Sequence, residues 1–357
     1  MAISLSQHRK VISQTVIGRF SDDRAPLQGL SAFFPSVTTV DKAVSIEVER
    51  NRQLLAVDVQ RCTDPNRNTF NKSTEKIFIP PFYSESFDFT SCQRYDATYG
   101  QGAIPQIADS KRLVMDSSKK ILALKYKILR AIEKQRSDVL QTGIVTLKNG
   151  DSIDFKRKAA SMVTKTGTDQ WNAFATANPL GNIETGADFL KKEGLSTLTE
   201  INAVLGQTAM SNFLQNPAVQ KERAIFSNFR SVDIGMPILN SLTGLIWRGR
   251  VAAGNYIVNL WTYSDFYELP NGTKVDYIDT NACILIPSDF EGVTAHAGIP
   301  AVLGSADDLY VSNVEGEFVV HDVIDQVKKA WDFIIESAPI VVPISIDRIY
   351  TINTVTV

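Results

Sequence analysis

The feature that most constrains this chain is a long helical pattern that runs straight into a hairpin signal. No glycine or proline interrupts residues 108–140, and apolar residues recur there with the spacing of a one-sided helix. Such a helix would be roughly 50 Å long, which exceeds the usual helix of a globular domain. Gly143 then ends the helix, and an Asn149-Gly150 turn joins two short predicted strands within 144–155.

The predicted helix is strongly basic. Residues 109–138 hold nine lysines and arginines against four acidic residues, a net charge of +5, whereas the whole chain has a net charge of −2. The overall balance argues against a general nucleic-acid or membrane binder, so any basic function must be local. The basic face could be solvated, ion-paired in a subunit contact, or opposed to nucleic acid. Base recognition is not indicated, because Tyr126 is the single aromatic residue among these charges.

Length and cysteine usage set the broad class. At 357 residues the chain can form two or three domains or one elongated one. The three cysteines, Cys62, Cys92 and Cys283, lack CxxC spacing, which indicates reduced thiols and no zinc site. Residues 1–20 lack the apolar core of a signal peptide, and no run of 18 apolar residues occurs. We therefore expect a cytoplasmic protein without a membrane partner.

An extended arm is predicted before the helix. Residues 44–49 alternate apolar and polar side chains, residues 60–76 are almost wholly polar, and residues 77–89 are apolar again around Pro80-Pro81. Because prolines cannot donate ladder hydrogen bonds, the returning strand must lie at a sheet edge or clear of any sheet. The pattern favours a two-stranded arm that packs on a partner chain over a meander within an ordinary sheet.

Two other regions allow alternatives. Residues 1–35 are either a frayed terminus or an arm whose Phe33 and Phe34 need another surface to cover them. Residues 198–205 are either a helix opened by a Thr197–Glu200 capping box, or a strand ended by Gly206 with Thr208 capping a short helix. The other predicted elements are a helix at 218–224, strands at 245–250, 255–262, 274–278 and 282–287, a helix at 323–331, and strands at 340–346 and 349–357.

The sequence supplies no constellation for catalysis. His8, His296 and His321 lie far apart, and the chain contains no GxSxG, GxxxxGK[ST] or GxGxxG motif. Residues 117–120 match SxxK and residues 165–167 match KTG, but the first lies inside the basic helix and no SDN lies between them. We predict no catalytic, metal-binding or cofactor-binding residue and no cofactor.

The edge-proline arm, the long helix running into 140–143 and the hairpin ending in Asp154-Phe155 resemble the major capsid proteins of tailed phages. More narrowly, the chain is similar to the lambda-type capsid family, which has the Hong Kong 97 fold. The resemblance runs from about Phe33 to Val357. It rests on residues 76–81, 139–143 with the hairpin, Trp171, 203–214, 263–286 and 337–340.

The resemblance implies an α+β, Hong Kong 97-like layout and favours the strand alternative for 198–205. It implies an N-terminal arm at 1–43 and an extended E-loop hairpin at 44–90. A peripheral domain would comprise 91–165 and 331–357, with a spine helix at 107–140. An axial domain would comprise 166–330.

The same resemblance implies a virion function. Such proteins form hexamers and pentamers of an icosahedral head that encloses double-stranded DNA, and they are assembled in the host bacterial cytoplasm. Implied partners are further copies of the chain, a scaffolding protein, a portal, packaged DNA held by non-specific electrostatics, and in some cases a decoration protein. The alternatives are an encapsulin-type shell around protein cargo and a cytoplasmic hydrolase.

Two sets of residues are predicted to carry this function. Inter-subunit contacts are expected from the tip and the return strand of the arm: Arg61, Arg67, Lys72, Ile77, Phe78, Phe82 and Tyr83. The basic face of the spine helix is expected to point toward the shell interior and packaged DNA through Lys119, Lys120 and Lys127.

Overall fold

The structure is a computed structural model, and it describes residues 25–48, 74–90, 106–147, 152–197, 199–224, 232–239, 244–305, 308–325, 327 and 330–356. Within these ranges the helices are α1 (Gln106–Gln141), α2 (Pro179–Lys192), α3 (Gln207–Gln215) and α4 (Pro217–Ala224). Short 3₁₀ helices lie at Gly29–Phe33, Ala159–Ser161, Gly167–Asp169 and Ile346–Arg348.

Strands make up most of the remaining described chain. They are β1 (Ser36–Thr38), β2 (Val44–Val48), β3 (Thr74–Phe78), β4 (Tyr83–Thr90), β5 (Ile144–Thr146), β6 (Ser152–Asp154), β7 (Met162–Thr164), β8 (Glu200–Leu205), β9 (Val232–Leu239), β10 (Ile246–Ala253) and β11 (Tyr256–Thr262). They continue with β12 (Phe266–Glu268), β13 (Lys274–Asp276), β14 (Ala282–Pro287), β15 (Gly292–His296), β16 (Ile299–Ser305), β17 (Asp308–Val314), β18 (Val319–Asp325), β19 (Ala330–Ser337), β20 (Pro339–Pro343) and β21 (Tyr350–Asn353).

Helix α1 confirms the predicted long helix. It has 36 residues and is therefore about 54 Å long. It ends because Gly143 adopts a left-handed backbone with φ +73°, and the Gly143 amide donates to the Val139 carbonyl at 3.0 Å. Strands β5 and β6 then pair antiparallel, which confirms the predicted hairpin.

A seven-stranded sheet in the order β7-β21-β14-β8-β11-β10-β9 dominates the molecule. Helices α2 and α3 cover one face of it through a core that includes Ile183, Leu190 and Phe213. All six residues of β14 are buried, as the sequence indicated, because this strand is covered on both faces.

A second core lies beneath helix α1. It joins the C-terminal half of the helix to β20 of the three-stranded sheet β1-β15-β20, and to the other face of the seven-stranded sheet. The seven-stranded sheet thus combines β7 and β21, from segments predicted as peripheral, with strands predicted as axial. The boundaries between those domains stay a prediction.

The predicted helix at 323–331 is wrong. Strands β18 and β19 occupy this region, pair antiparallel, and form a three-stranded sheet with β4. Residues 330–336 of β19 are paired with β18 on one side and with β4 on the other, and pairing of that kind outweighs local helix propensity.

The strand alternative for 198–205 is correct, since β8 pairs in parallel with β11. Helix α3 begins after Gly206 rather than at the predicted Thr208 cap. A Cβ atom on residue 206 would lie 2.2 Å from the Asp279 carbonyl oxygen, so the close approach at this turn requires glycine.

The predicted arm divides at its prolines. Strands β2 and β3 pair antiparallel as the expected hairpin, while residues 49–73, which lie between them in sequence, are outside the described residues. After Pro80-Pro81, β4 leaves the hairpin and becomes an edge strand beside β19. The edge position agrees with the constraint that the prolines set.

The segment before the arm is covered by its own chain. Phe34 is fully buried, and its ring packs edge-on against Phe290 with centroids 5.5 Å apart. Strand β1 continues from it in parallel with β15. Residues 1–24 lie outside the described residues.

Candidate assembly surface

The arm is anchored to the helix–hairpin unit at its base. The Phe78 ring lies 5.2 Å from the Phe155 ring between centroids, and Gln135 Nε2 donates to the Tyr83 hydroxyl at 3.0 Å. Both Phe78 and Tyr83 are consequently half-buried within their own chain. These two predicted contact residues thus hold the base of the arm in place.

Other predicted contact residues point to solvent. Ile77 is 66% exposed and Phe82 is 50% exposed, and Ile79 between them is as exposed as Ile77. Among the described residues, three large apolar side chains thus flank the Pro80-Pro81 pair with half or more of their surface exposed. Arg61, Arg67 and Lys72 lie outside the described residues.

The predicted DNA-facing lysines differ among themselves. Lys127 Nζ lies 2.7 Å from Glu85 Oε2 on β4, and Lys120 Nζ lies 5.3 Å from the centroid of the Phe87 ring. Lys119, Lys120 and Lys127 are all exposed. The structure therefore brings Lys120 and Lys127 against β4 and leaves the side chain of Lys119 in solvent.

A buried ion pair ties helix α1 to the N-terminal segment. Arg136 Nη1 lies 3.1 Å from Glu133 Oε2, and both side chains are almost completely buried. Glu133 Oε1 accepts from the Leu30 amide at 2.9 Å and from the Tyr263 hydroxyl at 3.0 Å. Burial raises the pKa of Glu133, and Arg136 opposes that rise.

Arg157 caps the C-terminal end of helix α1. Its guanidinium donates to the carbonyls of Leu140 at 2.9 Å and Gln141 at 3.2 Å, and to the Ile349 carbonyl at 3.1 Å. The positive charge thus sits where the helix presents unpaired carbonyls and the negative end of its dipole. Burial lowers the pKa of Arg157 to about 10, so the group stays charged at neutral pH.

A polar ladder crosses one face of the seven-stranded sheet and was missed by the sequence reasoning. Its members are Glu200, Asn202, Arg250, Asn259 and Trp261. Asn259 Nδ2 donates to Glu200 Oε1 at 2.8 Å, Arg250 Nε donates to Asn259 Oδ1 at 3.0 Å, and Trp261 Nε1 donates to Asn202 Oδ1 at 3.1 Å. Alternate polar positions within each strand were visible, but their alignment depends on pairing between distant segments.

The described residues offer little for other chemistry. No cluster of three or more histidine, cysteine or acidic side chains within them could hold a metal ion. Cys283 is buried and unpaired, and burial raises the pKa of its thiol to about 12. Among the described helices, none combines the length and apolar character needed to cross a membrane.

Comparison with known proteins assigns the chain to a protein family. Residues 31–354 match the family model described as phage major capsid protein E. No match was found among curated proteins.

Two solved structures share the fold. The first is a protein assigned as a capsid protein of a prophage from E. coli CFT073, with 16% identity, a TM-score of 0.58, and coverage of 99% of this chain and 100% of the other. The second is the mature capsid of bacteriophage PhiM1, with 12% identity, a TM-score of 0.51, and coverage of 94% of this chain and 89% of the other.

These likenesses confirm the predicted α+β, Hong Kong 97-like fold, and the family match confirms the resemblance to lambda-type capsid proteins. The chain therefore belongs to the phage major capsid protein E family, and it is a structural subunit of a phage head and not an enzyme.

Proposed function

We propose that this protein forms hexamers and pentamers that tile an icosahedral head around double-stranded DNA, and that the arm residues make a principal contact between subunits. The observation that carries the proposal is the contrast within the arm, whose base is fixed on its own chain while Ile77, Ile79 and Phe82 are exposed. A neighbouring subunit would cover these side chains.

The energetics favour a repeated contact over a single strong one. Fully burying a large apolar side chain contributes about 1.5–3 kcal/mol, and each of these three side chains retains half or more of its surface for burial. One such contact is weak after the cost of association. In a closed shell every subunit both gives and receives the contact, so many weak contacts act together.

The polar tip of the arm is proposed to reach further onto the neighbour. Arg61, Arg67 and Lys72 lie in sequence between β2 and β3, the two strands that pair as the hairpin. Their charges suit hydrogen-bonded polar contacts at the rim of an interface.

The first test is negative-stain electron microscopy of the purified protein, with and without a co-expressed scaffolding protein. Closed shells are expected, and small oligomers under both conditions would contradict the proposal. Shells purified from infected cells should contain double-stranded DNA. An encapsulin-type shell would instead hold protein cargo and little nucleic acid.

The second test targets the arm. We expect a variant lacking residues 61–72, and separately Ile77→Ser with Phe82→Ser, to remain folded and soluble but to yield few or no shells. The matched control is Phe266→Ser on β12, which removes an exposed aromatic ring elsewhere and should leave shell yield unchanged. Normal particles from either arm variant would refute the proposed contact.

We propose that the basic part of helix α1 faces the shell interior. Lys119, Lys120 and Lys127 are exposed there, and non-specific attraction to phosphate requires only accessible positive charge. Replacing all three with glutamine should reduce the amount of DNA packaged per shell. The control replaces Lys156, Lys165 and Lys221, which lie outside the helix, and unchanged packaging in the helix variant would contradict this orientation.

We further propose that assembly takes place in the host bacterial cytoplasm on a scaffolding protein, with a portal at one vertex and in some cases a decoration protein on the outer surface. Family membership supports these partners. Co-purification of the scaffold with immature shells from infected cells would test the first of them.

A further inference from the structure

The arm is attached to its own chain at two places. The first is its base, where Phe78 and Tyr83 contact the helix–hairpin unit. The second precedes strand β2, where residues 38–41 contact residues 296–298 and residues 313–315. We call this second attachment the arm joint.

Hydrogen bonds join each residue of the segment 38–41 to the other two segments of the arm joint. In donor-to-acceptor order they run from Thr39 N to His296 O (2.9 Å), from Gly298 N to Asp41 O (3.0 Å), from Asn313 Nδ2 to Val40 O (3.2 Å) and from Thr38 Oγ1 to Glu315 Oε1 (2.5 Å). Strand β2 begins at Val44, shortly after Asp41. The arm joint therefore fixes where the first strand of the arm begins.

The side chain of His296 is buried beside the arm joint and leaves one nitrogen unsatisfied. The residue is 2% exposed, and its Nδ1 has no hydrogen-bond partner among the described residues. In a neutral ring this nitrogen is an acceptor without a donor, whereas in a protonated ring it is a charged N–H donor without an acceptor. Burying an unpaired charge costs far more free energy than burying an unpaired neutral group, so the closed joint disfavours protonation.

The charges near His296 do not offset this cost. Burial lowers the pKa of His296, Glu317 opposes that change, and Arg136 adds to it. Arg136 belongs to helix α1 and pairs with Glu133. Its guanidinium donates to Thr294 Oγ1 at 3.1 Å, on the face of β15 that also carries His296. Further charged side chains on the packed segments are Lys125 over the Phe318 ring, Glu315 and Asp41, and β20 carries none.

Opening the arm joint removes the cost of a protonated ring, because the ring then reaches water. The side of the joint formed by residues 38–41 and 313–315 opens most readily, since the hydrogen bonds of Thr38 and Asn313 lie at the surface. Strand β15 stays attached to β20, all five residues of which are buried. Opening in acid therefore frees residues 38–41 without unfolding the sheet beneath them.

We propose that His296 is a pH-sensitive switch for the arm, and that protonation of its ring opens the arm joint and frees the start of strand β2. The base at Phe78 and Tyr83 contains no group that titrates near neutral pH, so it keeps the second strand of the arm in place. This inference goes beyond the proposed function, because it concerns a change within one subunit and does not require that shells form.

Hydrogen exchange of the full-length protein, followed by mass spectrometry, tests the switch. The reporters are the amides of Thr39 and Gly298, which donate across the arm joint. Their protection factors should fall about tenfold between pH 7.5 and 5.5, because an ordinary histidine pKa of 6.5 lets the opening equilibrium shift by up to about tenfold per pH unit below that value. Strand β14 should keep its protection over the same range. Unchanged protection at both reporters, or an equal fall in β14, would overturn the inference.

Substitution of His296 shows whether its ring is responsible. His296→Gln introduces a side chain that carries no charge at any pH, so the fall in protection should disappear. His321→Gln is the matched control at a more exposed histidine and should retain the wild-type fall. A fall in His296→Gln as large as that of the wild type would contradict the switch.

A titration that leaves residue 296 unchanged guards against misfolding of that variant. In protein carrying His8→Gln and His321→Gln, the NMR signal of the labelled imidazole belongs to His296, because the chain has three histidines. Its protonation should share a midpoint with the loss of protection at Thr39. Protonation without loss of protection, or the reverse, would refute the switch. These measurements do not depend on shells, so their failure leaves the proposed function untouched.

Discussion

Two parts of helix α1 are held by different kinds of contact: residues 118–127, which we call the exposed half, and residues 128–141, which we call the buried half. In residues 128–141 the polar side chains of Glu133, Gln135 and Arg136 are buried and hydrogen-bonded to other segments. In residues 118–127, Ile121 and Leu124 are only partly buried against the core, and lysines make further contacts to other segments: Lys127 with Glu85, Lys120 with Phe87, and Lys125 with Phe318.

The charged residues of helix α1 also differ between these two parts. Residues 118–127 contain four lysines and no acidic residue, whereas residues 128–141 contain three basic and two acidic residues. The basic character that the sequence assigned to one face of a long helix is therefore concentrated in residues 118–127, whose side chains are exposed or only half-buried. One part is buried in the fold, and the other presents Lys119, Lys120 and Lys127 at the surface.

The largest expected effect on stability comes from Arg157, which caps the C-terminal end of helix α1. Replacing Arg157 with Met keeps most of the volume but removes the guanidinium donor to the Gln141 and Ile349 carbonyls and one of the two donors to the Leu140 carbonyl. We expect a loss of about 4 kcal/mol in the free energy of unfolding, measured by urea denaturation of the unassembled subunit. Lys156→Gln, next to it and exposed, should change stability by less than about 0.5 kcal/mol.

The next largest loss of stability is expected at Glu133, the carboxylate of the buried ion pair. Glu133→Gln removes the negative charge beside Arg136, and we expect a loss of about 2 kcal/mol. The same substitution at Glu85, which pairs with Lys127 in the exposed half, should cost about 0.5 kcal/mol or less. Equal losses at the two positions would contradict the division of the helix.

We also expect a pH-dependent contribution to the free energy of unfolding from a buried histidine, His296. His296 lies two residues from Thr294, which accepts hydrogen bonds from Arg136, and its Nδ1 is buried without a hydrogen-bond partner among the described residues. Burial lowers the pKa of His296, an effect that Arg136 reinforces and Glu317 opposes. The unfolded chain therefore binds a proton more readily than the folded protein.

Stability from His296 is thus present above pH 6.5, the pKa of a free histidine side chain, and is lost as the pH falls from there toward the lowered folded pKa. The slope attributable to this group is at most about 1.4 kcal/mol per pH unit. His296→Gln should flatten the stability profile between pH 7 and 5. The exposed His321→Gln serves as the control, and identical profiles for wild type and His296→Gln would contradict the assignment.

The smallest expected effect lies in the exposed half. Lys127→Ala should lower the free energy of unfolding by less than about 1 kcal/mol, because solvent weakens the pair with Glu85. The loss should shrink further in 1 M salt. A loss as large as that of Glu133→Gln would mean that both halves support the fold equally.

Sequence patterns predicted the elements whose signals are local. Helix α1, the β5–β6 hairpin and strand β14 follow from periodicity, Gly143 and a continuous apolar run. The helix predicted at 323–331 was wrong because strand pairing between β18, β19 and β4 outweighed local preference. For the assembly surface, the sequence predicted four contact residues in the return strand of the arm. Two of them, Ile77 and Phe82, are exposed, but the sequence could not show that Phe78 and Tyr83 contact their own chain.

The sequence by itself determined that this protein is built on one long basic helix that runs into a hairpin, with an edge strand set by two prolines, because backbone chemistry acts over neighbouring residues. Only the tertiary structure decided which half of that helix is buried, where Arg157 places its charge, and how Glu200, Asn259 and Arg250 align. Those outcomes depend on contacts between segments far apart in the chain, and such contacts leave no periodic signal in either segment alone.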